Sequence, residues 1–219
     1  MIDWKHIDTV LLDMDGTLLD LHYDNYFWHH HLPEKWGALH GLDAEAARER
    51  LVPRFRSRAG TLSWYCLDYW TAELGLDILG LKNDVEHLIR TRPYAVEFLE
   101  FLRGLRKRVV LVTNAHEKLL DIKLRRTEIG AYFDAVVSAH RLGRPKEEVA
   151  FWEALRGMHP FDPQRTLLID DNQDVLKAAA GFGIRHLLTI AQPDSQRPAR
   201  GRLDFTAIAS FEGLLGAGE

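Results

Sequence analysis

Four short segments hold residues that could do phosphate or metal chemistry. The first is Asp13-Met14-Asp15-Gly16-Thr17. Its two carboxylates alternate along the chain, so an extended backbone can turn both to one side. Gly16 allows a sharp turn that frees backbone N–H groups to meet an anion. It is not a calcium loop, because Leu18 stands where such a loop beginning at Asp13 needs glycine. The second segment is Thr113-Asn114, whose hydroxyl and amide can bind phosphate oxygens; simple helix capping by Asn114 is the plainer alternative. The third is Gly143-Arg144-Pro145-Lys146, expected to put Lys146 at a helix start. A cation there opposes the helix dipole, which points away from a purely structural role, although a solvated lysine remains open. The fourth is Asp170-Asp171, adjacent carboxylates that repel each other unless a cation neutralises them; hard oxygen donors of this kind suit Mg²⁺.

These segments need elements to bring them together. Short apolar runs end at or beside each one: Thr9–Asp13, Val109–Thr113, Ala135–Ser138 and Thr166–Asp170, with a fifth run at His186–Ile190. Near-continuous apolar runs of this length predict strands buried on both faces, as in a parallel sheet. Helical patterns separate the later runs: one opened by Pro93 with Val96, Leu99, Leu102 and Leu105, then Glu117 to about Glu128, Glu147–Arg156 and Gln173–Phe182. The alternation predicts an α/β fold, a Rossmann-like parallel sheet with helices on both faces. Ligands of such sheets bind beyond the carboxyl ends of the strands. An acid pair, a hydroxyl and amide, a lysine and a second acid pair therefore converge on one small volume.

Between the first two strands the chain is too long for a simple crossover, which needs only about a dozen residues. Residues 20–91 predict a helical insertion, with helices over Asp24–Leu32, from Asp43 as N-cap, over Thr61–Leu74 and over Asn83–Ile89. The hinges are expected at Leu19–Leu21 and Thr91–Pro93. The insertion is rich in aromatics, and on one helix Trp64 and Asp68 would share a face, as would Tyr65 and Tyr69. Asp24 and Asn25 lie just past the first motif. Aromatic, Asp and Asn side chains could stack on a base and bond its edges; a packed core of bulky residues is the alternative. Consecutive His29, His30 and His31 point in different directions on a helix and do not make a zinc site.

Composition narrows the classes. With 219 residues, 46% hydrophobic and 27% charged, the chain has the balance of a globular protein. The net charge of −4 implies no broad nucleic-acid surface. No apolar run approaches the ~20 residues that span a bilayer, and the N-terminal MIDWKHIDTV is not read as a signal peptide. Cys66 is the sole cysteine, which suits a reducing cytoplasm and excludes an internal disulfide. Gln192–Arg202, polar with two prolines, reads as an exposed loop.

The four motifs in this order resemble those of the haloacid dehalogenase superfamily of phosphohydrolases, across the whole α/β core. The resemblance implies a core domain of residues 1–19 and 92–219 with a helical cap of residues 20–91. It implies Asp13 as nucleophile and Asp15 as general acid/base. It implies Mg²⁺ held by the Asp13 carboxylate, the Asp15 backbone carbonyl and Asp171, with Asp170 in direct contact or one step removed, and phosphate bound by Thr113, Asn114 and Lys146. Many relatives carry Asp or Asn four residues beyond the metal-binding Asp, where this chain has Val175. True haloacid dehalogenases lack the second acid of the first motif, so Asp15 favours phosphoryl transfer. The runs DMDGTLLD, DNYFW, WYCLDYW, VTNAH, PKE and IDD are similar to the bacterial 5′-nucleotidases of that superfamily that act on GMP and IMP. This similarity implies a purine nucleoside monophosphate as substrate, with Asp24, Asn25, Trp64 and Asp68 as candidate contacts. The alternatives are a sugar- or small-metabolite phosphatase, a phosphomutase, and a non-catalytic phosphate-binding protein.

Overall fold

The computed structural model describes residues 2–216; residue 1 and residues 217–219, the two ends of the expected core, lie outside the described residues. Six strands form one sheet: β1 (Thr9–Leu12), β2 (Arg108–Thr113), β3 (Ala135–Ser138), β4 (Thr166–Ile169), β5 (His186–Ile190) and β6 (Ala207–Ile208). Their order is β3-β2-β1-β4-β5-β6, and every pairing is parallel. The α/β architecture is the one the apolar runs predict. The sixth strand was not expected, because two residues are too few to leave a pattern.

Alternation along each central strand feeds two cores. Val10, Leu12, Val109, Leu111, Leu167 and Ile169 pack on one face. Leu11, Val110, Val112 and Leu168 pack on the other. Helices α7 (Ala95–Gly104) and α8 (Glu117–Thr127) cover the first face, with Phe98, Leu99, Leu102, Leu119 and Leu120 buried there. Helices α10 (Val149–Met158) and α11 (Gln173–Phe182) cover the second through Phe151, Trp152, Leu155, Val175 and Leu176. The sheet order reverses between β1 and β4, which opens a crevice at their carboxyl ends.

The helical insertion departs from expectation in its details. A single helical run passes from α1 (His22–Tyr26) through a π turn (Phe27–His31) into α2 (Leu32–His40). The widened turn lies directly before Pro33, which has no N–H to offer the preceding turn. Helix α3 (Ala44–Arg56) begins as expected, with the Asp43 carboxylate accepting the Ala46 N–H at 2.8 Å. The single helix expected over Thr61–Leu74 is instead α4 (Leu62–Tyr65) and α5 (Leu67–Leu74), broken where Cys66 adopts an extended backbone. The expected helix over Asn83–Ile89 is replaced by α6 (Ile78–Asp84) and a short 3-10 turn (Glu86–Leu88). The two chain crossings into the insertion are bonded to each other: Asp20 N–H donates to Arg90 at 2.9 Å and Arg92 N–H to Leu18 at 2.8 Å. Tyr23, Phe27, Trp36, Phe55 and Trp70 bury their rings in a core continuous with the first face of the sheet.

Candidate active site

Asp13 follows β1 directly. Its Oδ1 accepts from Lys146 Nζ at 2.5 Å, while its Oδ2 is buried with no hydrogen-bond partner. The turn beyond it rests on Gly16, at φ +85°, where a Cβ would lie 2.8 Å from the Asp171 carboxyl carbon. Both the backbone sign and the close approach therefore require glycine.

Lys146 does not begin a helix. A short helix α9 (Ala139–Leu142) and a left-handed Gly143 follow β3, and α10 starts only at Val149. Lys146 lies ahead of it in a loop, 2% exposed. The dipole conflict expected for it does not arise. The Asn114 side chain sets this loop: its Oδ1 accepts the Lys146 N–H at 2.9 Å and its Nδ2 donates to Glu147 at 2.9 Å. Asn114 is thus not the cap of α8, which is His116; it lines the cavity with one amide N–H committed to Glu147. Thr113 lines the cavity and its Oγ1 accepts the Ala115 N–H at 3.0 Å. The Lys146 ammonium donates to Asp13, to Asp170 Oδ2 at 2.7 Å and to the Val112 carbonyl at 3.1 Å.

Asp170 is bonded at both oxygens, since Oδ1 also accepts the Asn172 N–H at 2.9 Å. Asp171 meets Arg200, which donates to its Oδ2 at 2.8 Å and also to its carbonyl. Arg200 sits in the stretch read from sequence as an exposed loop. That stretch is a loop as expected and is exposed over residues 195–202, but its start is anchored, with Arg92 holding the Gln192 carbonyl at 2.6 Å and Asn25 donating to Asp194 at 2.7 Å. Asp13, Asp170 and Asp171 offer carboxylate oxygens within 4.8 Å of one another, all buried. Burial and the neighbouring Asp13 push Asp171 up to about 7 against the pull of Arg200. Burial likewise raises Asp170, although Lys146 opposes it. Three carboxylates face two cations here, and Asp13 Oδ2 is fully buried without a partner. This donor set is all hard oxygen and short of positive charge, so it fits Mg²⁺. Val175 is buried and lines the cavity, and Asp174 pairs with Lys177 on the surface, so neither adds a ligand.

A second charge cluster adjoins the first. Lys123 of α8 donates to Asp15 at 2.6 Å and to Asp24 of α1 at 2.7 Å. Lys82 of α6 donates to the other Asp24 oxygen at 2.6 Å. Both lysines are 1% exposed. Lys82 also lies over the rings of Tyr23 and Phe27, at 4.7 and 4.3 Å. Burial raises the Asp15 carboxyl to about 6, with Lys123 pulling against it. Neither lysine was singled out from sequence, because a lysine on an amphipathic helix normally marks the solvated face and their partner Asp24 is distant in the chain.

Asp13, Asp15, Thr113, Lys146, Asp170 and Asp171 border a cavity of about 470 Å³. Its opposite wall includes Asn25, Trp28, Trp64, Tyr65 and Leu67 from the insertion. Trp28 and Trp64 stack at 5.3 Å within a packed aromatic group that includes Phe55 and Trp70. Tyr65 reaches the core, its hydroxyl donating to Glu147 at 2.6 Å. Asp68 does not face the cavity. The break at Cys66 turns it away from Trp64, and its side chain, 61% exposed, pairs with Lys118 at 2.7 Å. Tyr69 likewise leaves Tyr65 and accepts from Arg58 at 2.8 Å.

Haloacid dehalogenase-like hydrolases match residues 7–183 as a family. The chain is 44% identical over 194 residues to the GMP/IMP nucleotidase YrfG of Escherichia coli, covering 89% of this chain and 87% of that protein. The chain therefore belongs to the haloacid dehalogenase-like hydrolases and is an enzyme. A phosphorylated carbohydrates phosphatase of Thermotoga maritima is 22% identical over 93% of each chain. Among solved structures, a phosphatase of this family from Thermococcus onnurineus superposes with a TM-score of 0.78 at 20% identity, covering 97% of this chain and 99% of that one. At that identity the likeness shows the fold. Among the described residues no helix is long and apolar enough to cross a membrane.

Proposed function

We propose that this hydrolase is a Mg²⁺-dependent phosphomonoesterase that forms an aspartyl-phosphate on Asp13 and acts on purine nucleoside 5′-monophosphates, GMP and IMP. The observation that carries the reading is the buried, unpartnered Asp13 Oδ2 at the floor of the cavity, beside Asp15 and Lys146. The substrate class rests on the likeness to the Escherichia coli nucleotidase.

Asp13 and Asp171, with the backbone carbonyl of Asp15, would hold Mg²⁺. When bound, the ion would neutralise charge between a carboxylate nucleophile and a phosphate monoester. The remaining chemistry belongs to the chain. Asp13 Oδ2 attacks phosphorus as the bond to the leaving oxygen breaks, and Asp15 gives that oxygen its proton. The nucleoside departs. Asp15 then takes a proton from water, the water oxygen attacks phosphorus, and the Asp13–phosphorus bond breaks to release phosphate. Lys146 and Thr113 hold the equatorial oxygens as negative charge develops on them. Asp170 and Asn114 act by placing Lys146, and Lys123 acts by holding Asp15.

Residues 20–91 serve as a cap over a core of residues 1–19 and 92–219, hinged at the paired crossings near Leu19 and Thr91. Asn25 and Trp64 on the cavity wall remain candidates for the base, Asp24 shapes the wall through Lys82, and Asp68 is withdrawn. A small metabolite as substrate, a sole cysteine and the absence of a broad basic surface agree with a cytoplasmic enzyme that needs neither nucleic acid nor membrane.

Phosphate release from nucleoside monophosphates and sugar phosphates, with Mg²⁺ and with EDTA, tests the reading. Mg²⁺-dependent preference for GMP and IMP is expected. Preference for sugar phosphates would overturn the substrate class, and equal release in EDTA would overturn the metal.

A further inference from the structure

Outside the strand-end carboxylates, the described residues hold one other group of metal-ligating side chains. Cys66, His116 and His140 each offer one donor atom, and these atoms lie within 4.8 Å of one another. The three come from separate places. Cys66 sits at the break between α4 and α5, His116 caps α8 just after β2, and His140 lies in α9 after β3. The two imidazole rings meet edge to face, with centroids 4.9 Å apart.

Ordinary packing leaves part of this arrangement unexplained. His140 Nε2 is buried with no hydrogen-bond partner, and an unpaired buried polar atom is unfavourable. Cys66 Sγ caps α5 by accepting the Tyr69 N–H at 3.4 Å, a contact a metal-bound thiolate keeps, and no disulfide claims it, since Cys66 is the only cysteine. The cluster takes no part in the chemistry derived for Asp13 and Asp15. His116 Nδ1 accepts the Lys118 N–H at 3.4 Å and its Nε2 lies 3.6 Å from an Asp68 carboxylate oxygen, so a metal at either nitrogen replaces one of these weak contacts.

Donor chemistry separates this cluster from the carboxylates across the cavity. One sulfur and two imidazole nitrogens form a borderline-soft set that selects ions of the zinc class and leaves Mg²⁺ to oxygen donors. Around a tetrahedral zinc ion the donor atoms stand about 3.3–3.6 Å apart, so binding needs only small side-chain adjustments.

We propose that Cys66, His116 and His140 form a second metal site, specific for a borderline transition-metal ion of the Zn²⁺ class, with solvent filling the open position. Because Cys66 belongs to the insertion and both histidines to the core, the bound ion ties the two together beside the Tyr65–Glu147 contact. The proposal does not depend on which phosphate ester is hydrolysed.

Cobalt titration of the full chain in excess Mg²⁺ tests it. Thiolate bound to Co²⁺ gives a near-ultraviolet charge-transfer band, and with a single cysteine that band reports Cys66 alone. The expected result is a band that saturates at one Co²⁺ per chain, is bleached by Zn²⁺, and is lost in Cys66→Ser and in His140→Ala. No band, or a band undiminished in both His116→Ala and His140→Ala, would overturn the site and reduce it to a thiol that binds metal by itself. A second readout needs no variant: Zn²⁺ should protect wild-type Cys66 from alkylation whereas Mg²⁺ should not, and equal alkylation in both ions contradicts the proposal.

Discussion

Two buried clusters of aspartate and lysine lie side by side in this molecule, and they are built to opposite ends. Around Lys146, three carboxylates face two cations and one Asp13 oxygen has no partner. Around Lys123, Asp15 and Asp24 face Lys82 and Lys123, and each Asp24 oxygen has its own ammonium. Charge excess and an orphaned oxygen mark a place that receives ligands. Matched charges mark a place that holds a position, since a buried ion pair is worth little as stabilisation but costly to break. The first cluster belongs to the strand ends; the second joins α8 of the core to α1 and α6 of the insertion.

Substitutions can break this contrast, beginning with the largest effect. Asp13→Asn should lower kcat by about 10⁴-fold or more, the scale for removing a nucleophile, with the melting temperature little changed. Steady-state kinetics on GMP reads this directly. Lys146→Met should cost about 10²–10³-fold, as for loss of a group that stabilises developing charge. Lys123→Met should cost less, about 10-fold or more, and only where Asp15 is present. In an Asp15→Asn background the same change should add almost nothing to the kinetic loss. If the two losses multiply instead, Lys123 acts through the fold at large and not through Asp15.

The smallest effect concerns stability. Burial raises Asp24, but Lys123 and Lys82 outweigh it and hold the carboxyl well below its ordinary value. A carboxyl depressed in the folded state contributes fully above its unfolded value of about 3.9, and that contribution fades as pH falls through the folded value. The wild-type melting temperature should therefore drop more steeply than that of Asp24→Asn between about pH 5 and pH 3. Parallel acid limbs would show that the matched cluster contributes nothing there.

The same contrast explains what could be read from sequence. Asp13 and Asp170-Asp171 stand at the ends of apolar runs and Lys146 follows another after a short helix, so the sheet itself announces their convergence. Lys82 and Lys123 stand on amphipathic helices, where periodicity assigns charged residues to solvent, and only the fold brings them to Asp24. Arg200 was hidden in a polar stretch whose anchoring depends on Arg92 and Asp20, far away in the chain. Helix breaks at Gly or Pro are visible in a sequence; the one at Cys66 has neither residue, so Asp68 was wrongly placed with Trp64. Helix α9, only four residues long, shifted Lys146 away from the helix start expected for it.

The central claim is that Asp13 is the nucleophile, and trapping the intermediate tests it most directly. A single turnover of GMP by the Asp15→Asn variant in Mg²⁺, quenched with acid and reduced with borohydride, converts an aspartyl-phosphate to homoserine. Peptide mass spectrometry should find homoserine at position 13, and only when substrate was present. Homoserine at another aspartate, or none although nucleoside has been released in the first turnover, would contradict the account.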